Sequence, residues 1–201
     1  MKIPTFRRRS GFTLVELLVV IAIIAVLAAA GFAAGNAAIQ RAKKVTTLAT
    51  AVAIESAVKD FFNEYGSLPT EATDDSAVID TSTDVSLITA LSGLTEIKNP
   101  PYNSKSIKFL SVREGKKKGT SKGINGMIYS SDGKSVVGLF DAWGGGFQVK
   151  MDGDYDERLE GVQPKGSSSA TNLNGRRVVV WSDGADGVKG VGKTTDDVKT
   201  W

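Results

Sequence analysis

FTLVELLVVIAIIAVLAAAGFAA, residues 12–34 of this 201-residue chain, contains only two polar side chains, those of Thr13 and Glu16. At about 1.5 Å per residue, a helix of these 23 residues covers the hydrocarbon core of a bilayer, which is about 30 Å thick. The alternative is a buried helix of a soluble domain, but such a helix is rarely apolar on every side. The segment therefore predicts a helix inserted in a membrane.

The residues before this segment are basic. Residues 1–11 hold Lys2, Arg7, Arg8 and Arg9 and no acid, and subtracting this +4 from the net charge of +3 leaves −1 for the rest of the chain. Lysine and arginine beside a membrane span favour its cytoplasmic side, so we expect the C-terminal domain to be translocated. The excess positive charge therefore sets the orientation in the membrane, and no nucleic-acid partner is expected.

Cysteine and histidine are both absent from the chain. Without them there is no disulfide, no thiolate or imidazole metal ligand, and no cysteine nucleophile or histidine base. We therefore expect a protein that is not an enzyme. Two alternatives stay open: a membrane-anchored enzyme built on Asp, Ser and Lys, and an anchored ligand-binding module with Trp143 and Trp181 in a sugar site. Core packing beside valine-rich strands is the more ordinary role of such tryptophans.

The junction between the basic residues and the apolar segment reads RRSGFTLVE, residues 8–16. Basic side chains, Gly11 followed by Phe12, and one glutamate four residues later precede the apolar run at fixed spacing. This pattern resembles the prepilin signal of type IV pilins and pseudopilins. The resemblance implies that a prepilin peptidase cuts between Gly11 and Phe12 and that Phe12 is then N-methylated. An ordinary secretory signal cut after Ala30 is the alternative, although its apolar region would be shorter, about 7–15 residues.

Glu16 lies one turn inside the predicted membrane helix, where a carboxylate costs roughly 2.5–3.5 kcal/mol to insert. Cleavage before Phe12 would create an α-amino group that stays positively charged after methylation. In a medium of low dielectric constant, Glu16 of one subunit and the Phe12 amine of a neighbour would relieve each other's desolvation. We predict that this pair fixes the axial offset between subunits. A glutamate that merely reaches the headgroups is the alternative.

Helical spacing continues beyond the apolar segment. Apolar residues at offsets of 0, 4, 7, 8 and 11 share one face of a helix: Ile54, Val58, Phe61, Phe62 and Tyr65. Gly66 and Pro69 then end the helix, which is about 80 Å long if it begins at Phe12. The resemblance implies an α+β, lollipop-shaped pilin-like fold, in which this helix packs on a small antiparallel β-sheet domain with a C-terminal loop.

The chain divides accordingly into four predicted parts: a cleaved leader at 1–11, a transmembrane and assembly helix at 12–35, its amphipathic continuation at 36–66, and a periplasmic globular domain at 67–201. Within the globular domain, a short helix is predicted at 85–94, and strands are predicted at 106–112, 135–139, 146–151 and 177–181. Residues 70–83 and the lysine run 116–118 are predicted to be loops, with contact between these lysines and anionic lipid or nucleic acid as the lesser alternative.

Two segments of the globular domain resemble the major (G-type) pseudopilins of type II secretion. Residues 141–147, DAWGGGF, resemble their tryptophan-glycine turn, with Gly145 and Gly146 replacing Asn and Pro, which predicts a more flexible turn. Residues 181–201 resemble their calcium loop. Calcium binds six to eight oxygens, and glycines let the backbone bend around the ion. The predicted ligands are carboxylate, hydroxyl or carbonyl oxygens of Ser182, Asp183, Asp186, Val188, Asp196 and Asp197. An acidic surface turn without metal is the alternative.

A second acidic stretch, DGDYD at residues 152–156, matches the first positions of an EF-hand loop. Position 6 is Glu157 where the EF-hand needs glycine, and position 12 is Gln163 where it needs glutamate. We therefore predict a hairpin turn here, with metal binding as the lesser alternative.

The resemblance implies a structural subunit of a type II secretion pseudopilus, held by one span in a bacterial inner membrane with its domain in the periplasm. The expected partners are further copies of the chain, other pseudopilins, the prepilin peptidase, the inner-membrane assembly platform and the membrane itself. A type IV pilin for adhesion, motility or DNA uptake is the alternative. The Trp-Gly turn and the acidic C-terminal segment favour the pseudopilin, since the chain has no cysteines for the disulfide loop common in adhesion pilins.

Overall fold

A computed structural model describes residues 11–94, 103–119, 122–165, 167–185 and 197–201. Its longest element is helix α1, Leu14–Tyr65, with 52 residues. The predicted long helix is confirmed, and it ends at the predicted residue. The chain forms two compact units, residues 1–41 and 42–201, and α1 contributes to both.

The first unit contains the apolar part of α1. From Leu14 to Leu27 its large apolar side chains are 45–79% exposed. An 18-residue window of this helix has a mean hydropathy of 2.9, and none of it is buried. The helix is therefore long and apolar enough to cross a membrane, and its surface requires lipid or other helices for cover.

The second unit begins with the amphipathic part of α1. Ile54, Val58 and Phe61 are fully buried, whereas Val52 on the same helix is 50% exposed. The buried side chains join a single core cluster with residues of the sheet, among them Phe147 and Val149. The predicted apolar face of the helix is therefore the face that packs on the domain.

In the parts of the chain that the structure describes, the remaining elements are one short helix and ten short strands. Helix α2 is Ser86–Leu91, and the strands are β1 Val78–Asp80, β2 Lys116–Lys117, β3 Gly123–Ile124, β4 Gly126–Tyr129, β5 Val136–Phe140, β6 Gln148–Met151, β7 Arg158–Val162, β8 Thr171–Asn174, β9 Val178–Ser182 and β10 Val198–Lys199. Four strands form the main antiparallel sheet, in the order β1-β6-β9-β10. The others form three antiparallel pairs, β2-β3, β4-β5 and β7-β8. The predicted α+β fold with an antiparallel sheet is confirmed.

Strand β9 is buried on both faces, which explains its continuous apolar sequence. Val178 and Val180 point into the core beside α1, whereas Val179 and Trp181 pack in a second cluster with Leu159 of β7. Successive side chains of a strand point to opposite faces, so a run without polar residues marks a strand covered on both sides.

Three of the predicted local structures are wrong. Residues 106–112 form no strand, because the N–H groups of Phe109 and Leu110 donate to the carbonyl of Leu91 at the end of α2, at 2.9 and 2.8 Å. Residues 70–83 contain β1, which pairs with β6 and is too short to show a period of two in the sequence. The lysine run includes β2, whose two residues are both exposed.

Burial of one face of α1 leads to a stability prediction. Ile54→Ala should lower the free energy of unfolding by about 2–5 kcal/mol, because it removes a fully buried side chain and leaves a cavity. Val52→Ala, on the exposed face of the same helix, should change it by less than about 0.5 kcal/mol. Chemical denaturation of the detergent-solubilised protein measures both values. Equal losses in the two variants would contradict the assignment of the packed face.

Candidate functional site

The start of α1 is a capped helix terminus built by Thr13 and Glu16. The Glu16 carboxylate accepts hydrogen bonds from the backbone N–H and the hydroxyl of Thr13, both at 2.8 Å, and the Glu16 N–H donates to the Thr13 hydroxyl at 3.2 Å. This reciprocal arrangement is a capping box, which satisfies donors that the first helical turn leaves open. The helix therefore begins at Leu14, two residues later than the prediction.

The predicted cleavage point lies outside this helix. Gly11 and Phe12 are exposed and have no helical hydrogen bonding, and the Phe12 side chain is 74% exposed. An exposed peptide bond outside a helix is accessible to a peptidase. The cap on Thr13 thus begins the helix two residues after the predicted cleavage point.

Glu16 keeps the capacity to bind a positively charged group while it caps the helix. A carboxylate offers about four acceptor positions, and the two bonds from Thr13 use part of them. A neighbour's ammonium group could therefore bind Glu16 without uncapping α1. The pairing of Glu16 with the Phe12 amine of another subunit stays a prediction.

The tryptophan-glycine turn is organised by one carboxylate, that of Asp141. One of its oxygens accepts the backbone N–H groups of Trp143, Gly144 and Gly145 at 2.8, 2.7 and 2.9 Å. The other oxygen accepts the hydroxyl of Ser182 at 2.6 Å. Burial raises the pKa of Asp141 above its ordinary value, although these hydrogen bonds oppose the shift. Because Asp141 holds three successive N–H groups, the structure shows an anchored turn where the sequence predicted a more flexible one.

Gly146 is required by a close approach within the same turn. A Cβ atom at this position would lie 2.1 Å from an Asp80 carboxylate oxygen and 2.8 Å from the Ser82 hydroxyl. A proline, as in the resembled turn, would carry that Cβ atom. Glycine at this position therefore leaves room for the side chains at the end of β1, which passes beside it.

The turn also connects the C-terminal segment with α1. Ser182, at the end of β9, donates to Asp141, and the N–H of the adjacent Ala142 donates to the Thr47 hydroxyl of α1 at 3.2 Å. All four residues are buried. A short hydrogen-bonded path therefore runs from the beginning of the predicted calcium loop to the helix.

Three of the six predicted calcium ligands lie in described parts of the chain, and the other three, Asp186, Val188 and Asp196, lie outside them. Ser182 and Asp183 are buried at the end of β9, and Asp197 is buried immediately before β10. Val198 pairs with Ser182, so extending this register by one residue brings Asp197 opposite Asp183. The structure thus brings the two ends of the predicted loop together.

The described ligands already have protein partners. The Asp183 carboxylate accepts the N–H of Lys165 at 3.3 Å and forms an ion pair with its ammonium group at 3.2 Å. The Asp197 carboxylate forms an ion pair with Lys199 at 3.4 Å. The Asp183 and Asp197 carboxylates and the Ser182 hydroxyl are buried oxygen donors of the kind that calcium binds, so the described residues fit such an ion.

The second acidic stretch is a loop between β6 and β7, which are not paired with each other, so the predicted hairpin is wrong in that detail. Asp152 is fully buried and accepts the N–H groups of Asp156 and Glu157 at 3.2 and 3.0 Å. Carboxylate oxygens of Asp75, Asp152 and Asp154 lie within 4.8 Å of one another. Sequence reasoning missed Asp75, because it is 77 positions away from Asp152 and precedes an unrecognised strand.

Comparison with protein families identifies a motif at the N-terminus. Residues 6–32 match the model of the prokaryotic N-terminal methylation motif. The match supports a type IV pilin-like prepilin signal, and this type of protein is structural rather than enzymatic. It implies processing by a prepilin peptidase, assembly into pilin-type filaments and membrane anchoring by the single N-terminal helix. Neither the comparison with curated proteins nor that with solved structures finds a match.

The raised pKa of Asp141 leads to a pH prediction. Because the folded-state pKa lies above the unfolded value, this group makes the free energy of unfolding fall as pH rises from about 4 through the folded-state pKa. Asp141→Asn removes that contribution, so the Tm of the variant relative to wild type should increase with pH. Thermal unfolding in detergent between about pH 4 and pH 7 measures this trend.

Asp132 provides the control, because its hydrogen bond with Ser130 lowers its pKa. Its contribution to stability is present above the unfolded pKa and is lost as pH falls. The Tm of Asp132→Asn relative to wild type should therefore decrease as pH rises. The same trend in both variants would contradict the role of burial at Asp141.

Proposed function

We propose that this chain is a structural subunit of a type II secretion pseudopilus. The observation that carries the proposal is a prepilin-type signal placed directly before a helix whose apolar side chains are 45–79% exposed from Leu14 to Leu27. Such a surface is stable in a bilayer or in a bundle of similar helices, so the same segment serves both before and after assembly.

Assembly in this proposal begins with removal of residues 1–11 and methylation of Phe12. The new amine and Glu16 of a neighbouring subunit then pair within the helical bundle, where the low dielectric constant strengthens their attraction. An assembly platform in the inner membrane extracts the subunits, and other pseudopilins share the filament. The globular domain stays in the periplasm, and the filament assists protein export.

The turn at residues 141–147 supports a pseudopilus over an adhesion pilus. Its single anchoring carboxylate and its tryptophan-glycine sequence resemble the turn of major pseudopilins. The chain has no cysteine, and so it lacks the pair that closes the C-terminal loop of many adhesion pilins. A type IV pilin for adhesion, motility or DNA uptake is the second candidate, since the methylation motif is common to both classes.

The proposed assembly predicts a specific mature N-terminus and a requirement for Glu16. Mass spectrometry of the membrane-extracted protein should find a mature chain that begins with methylated Phe12. Glu16→Ala should leave cleavage intact, because the peptide bond before Phe12 is outside the helix, and it should abolish or strongly reduce filaments. Electron microscopy and shearing of the cells measure assembly.

Glu16→Gln serves as the matched control, because it keeps the hydrogen-bond acceptor for Thr13 but loses the charge. If charge pairing is what matters, Gln should fail in assembly as Ala does; if capping is sufficient, Gln should assemble normally. A mature N-terminus after Ala30 would contradict the whole proposal.

Loss of exoprotein secretion on deletion, with normal surface adhesion, would separate a pseudopilus from a pilus.

We also propose that the C-terminal segment binds calcium. Asp183 and Asp197 would supply carboxylates at the two ends of the loop, with Ser182, Asp186, Val188 and Asp196 as the further ligands. The ion would stabilise a glycine-rich segment that has little apolar core of its own. Through Ser182 and Asp141, that stabilisation would extend to the buried turn beside α1.

The calcium proposal predicts that the Tm of thermal unfolding depends on the metal. A chelator should lower the Tm, and calcium at about 100 times its dissociation constant should restore about 2.7 kcal/mol of stability. Asp197→Asn should abolish the effect of calcium, whereas Asp84→Asn, at an exposed residue preceding α2, should retain it. An unchanged Tm in chelator would contradict calcium binding and leave the filament proposal intact.

A further inference from the structure

The strands β2 and β3 form an exposed hairpin with an unusual concentration of positive charge. Its four lysines, Lys116, Lys117, Lys118 and Lys122, are all exposed, and we call this group the lysine hairpin. The N–H of Lys118 donates to the carbonyl of Lys122 at 2.8 Å, which makes these two lysines cross-strand neighbours. Like charges directly opposite each other on paired strands destabilise a hairpin, so this arrangement favours binding of an external anion.

The lysine hairpin finds no compensating charge within the described parts of the chain. The six ion pairs recorded there use other lysines and arginines, and none of them includes a hairpin residue. Glu114 is the one acidic residue between residues 113 and 119 of the sequence, and the positive charge of Arg113 balances its negative charge. The hairpin therefore presents a net positive surface to its surroundings.

The same domain carries an open cleft of opposite charge. This acidic cleft has a volume of about 590 Å³ and is lined by five carboxylates and one ammonium group, those of Asp74, Asp75, Asp154, Asp156, Glu160 and Lys150, together with Ser76, Gly161 and Asn172. Its formal charge is therefore −4. The ammonium group of Lys150 donates to the backbone carbonyl of Glu160. None of the five carboxylates appears in an ion pair within the described residues.

The acidic cleft borders a close group of carboxylates, because oxygens of its Asp75 and Asp154 lie within 4.8 Å of each other and of an oxygen of the neighbouring Asp152. Burial is the main cause that raises the pKa of Asp152, and the neighbouring carboxylates of Asp154 and Asp75 add to it. The cleft is wide enough for lysine side chains, which bind as compact positive charges on flexible stems. The lysine hairpin and the acidic cleft lie on different elements. The hairpin belongs to β2-β3, whereas the cleft is lined by the loops before β1 and after β6 and by residues of β6, β7 and β8.

We propose that the lysine hairpin of one subunit docks in the acidic cleft of a second copy of this chain. The contact is heterologous, because it joins two different surfaces, and a heterologous contact that does not close into a ring generates a helical filament. The inference rests on the proposed filament function and adds a specific contact between globular domains. Single exposed ion pairs are weak and screened by salt, so the contact orients subunits that the N-terminal helices already hold together.

The absence of native cysteines makes a direct test possible. Full-length Lys122→Cys and Asn172→Cys variants, one residue in each surface, are co-expressed in the native membrane and treated with a short bismaleimide. Dimers that join the two different variants should form during filament assembly. Each variant expressed alone should give little dimer, because the contact joins unlike surfaces.

Charge reversal then tests the cause of the contact. Lys117→Glu with Lys118→Glu should reduce the crosslink at least about tenfold, since like charges would face each other. Adding Asp154→Lys and Glu160→Lys to the partner copy should restore it. The matched control is Lys108→Glu with Lys134→Glu, which reverses two exposed charges outside the hairpin and should leave the crosslink unchanged.

The possible outcomes separate this inference from the proposed function. Wild-type protein that keeps its leader or makes no filament contradicts the proposed function. Normal filaments with an undiminished crosslink after reversal at Lys117 and Lys118, or with no crosslink at all, overturn the docking contact alone. A third result also overturns it: charge reversal at Lys117 and Lys118 leaves the crosslink unchanged but abolishes binding to phosphatidylglycerol vesicles or duplex DNA. The lysine hairpin would then bind another anion.

Discussion

The constraint on which the molecule depends is an apolar helix surface that the described parts of the chain leave uncovered. Thirteen large apolar residues between Phe12 and Phe32 are 45–79% exposed. At about 1.5–3 kcal/mol for each fully exposed side chain, leaving this partly exposed surface in water would cost on the order of 10–20 kcal/mol, as much as the 5–15 kcal/mol stability of a typical domain. The segment must therefore lie in lipid or against other helices, and the capped start at Thr13 with the glutamate at Glu16 places a polar terminus at its end.

The globular domain meets a different constraint, which is to attach a small sheet to one face of the same helix. Strand β9 achieves this because its alternate valines contact opposite sides: Val178 and Val180 face α1, and Val179 faces the β7-β8 pair. Asp141 then fixes the turn before β6 and binds Ser182 at the end of β9. Packing and one buried carboxylate thus hold together the elements on which the predicted calcium loop begins and ends.

The parts of the fold that the sequence predicted are those with a long or strong pattern. The 3.6-residue spacing of Ile54, Val58 and Phe61 and the uninterrupted valines of β9 each repeat a physical rule several times. Strand β1 spans three residues, and the lysine run gave no sign that β2 would pair with β3. The role of Asp141 depends on N–H groups that converge only after folding, and the proximity of Asp75 to Asp152 depends on tertiary structure. Local sequence contains no signal for contacts of that kind.

The edge strands of the main sheet are very short. Its outer strands are β1, with three residues, and β10, with two. Molecules crowded along a fibre would otherwise be prone to strand addition, in which the unpaired N–H and C=O groups of one outer strand template another and lead to aggregation. Edge strands this short offer few such groups, so they disfavour strand pairing between packed copies and leave association to side chains. A fibre held in that way can be taken apart and rebuilt, which a continuous shared sheet would prevent.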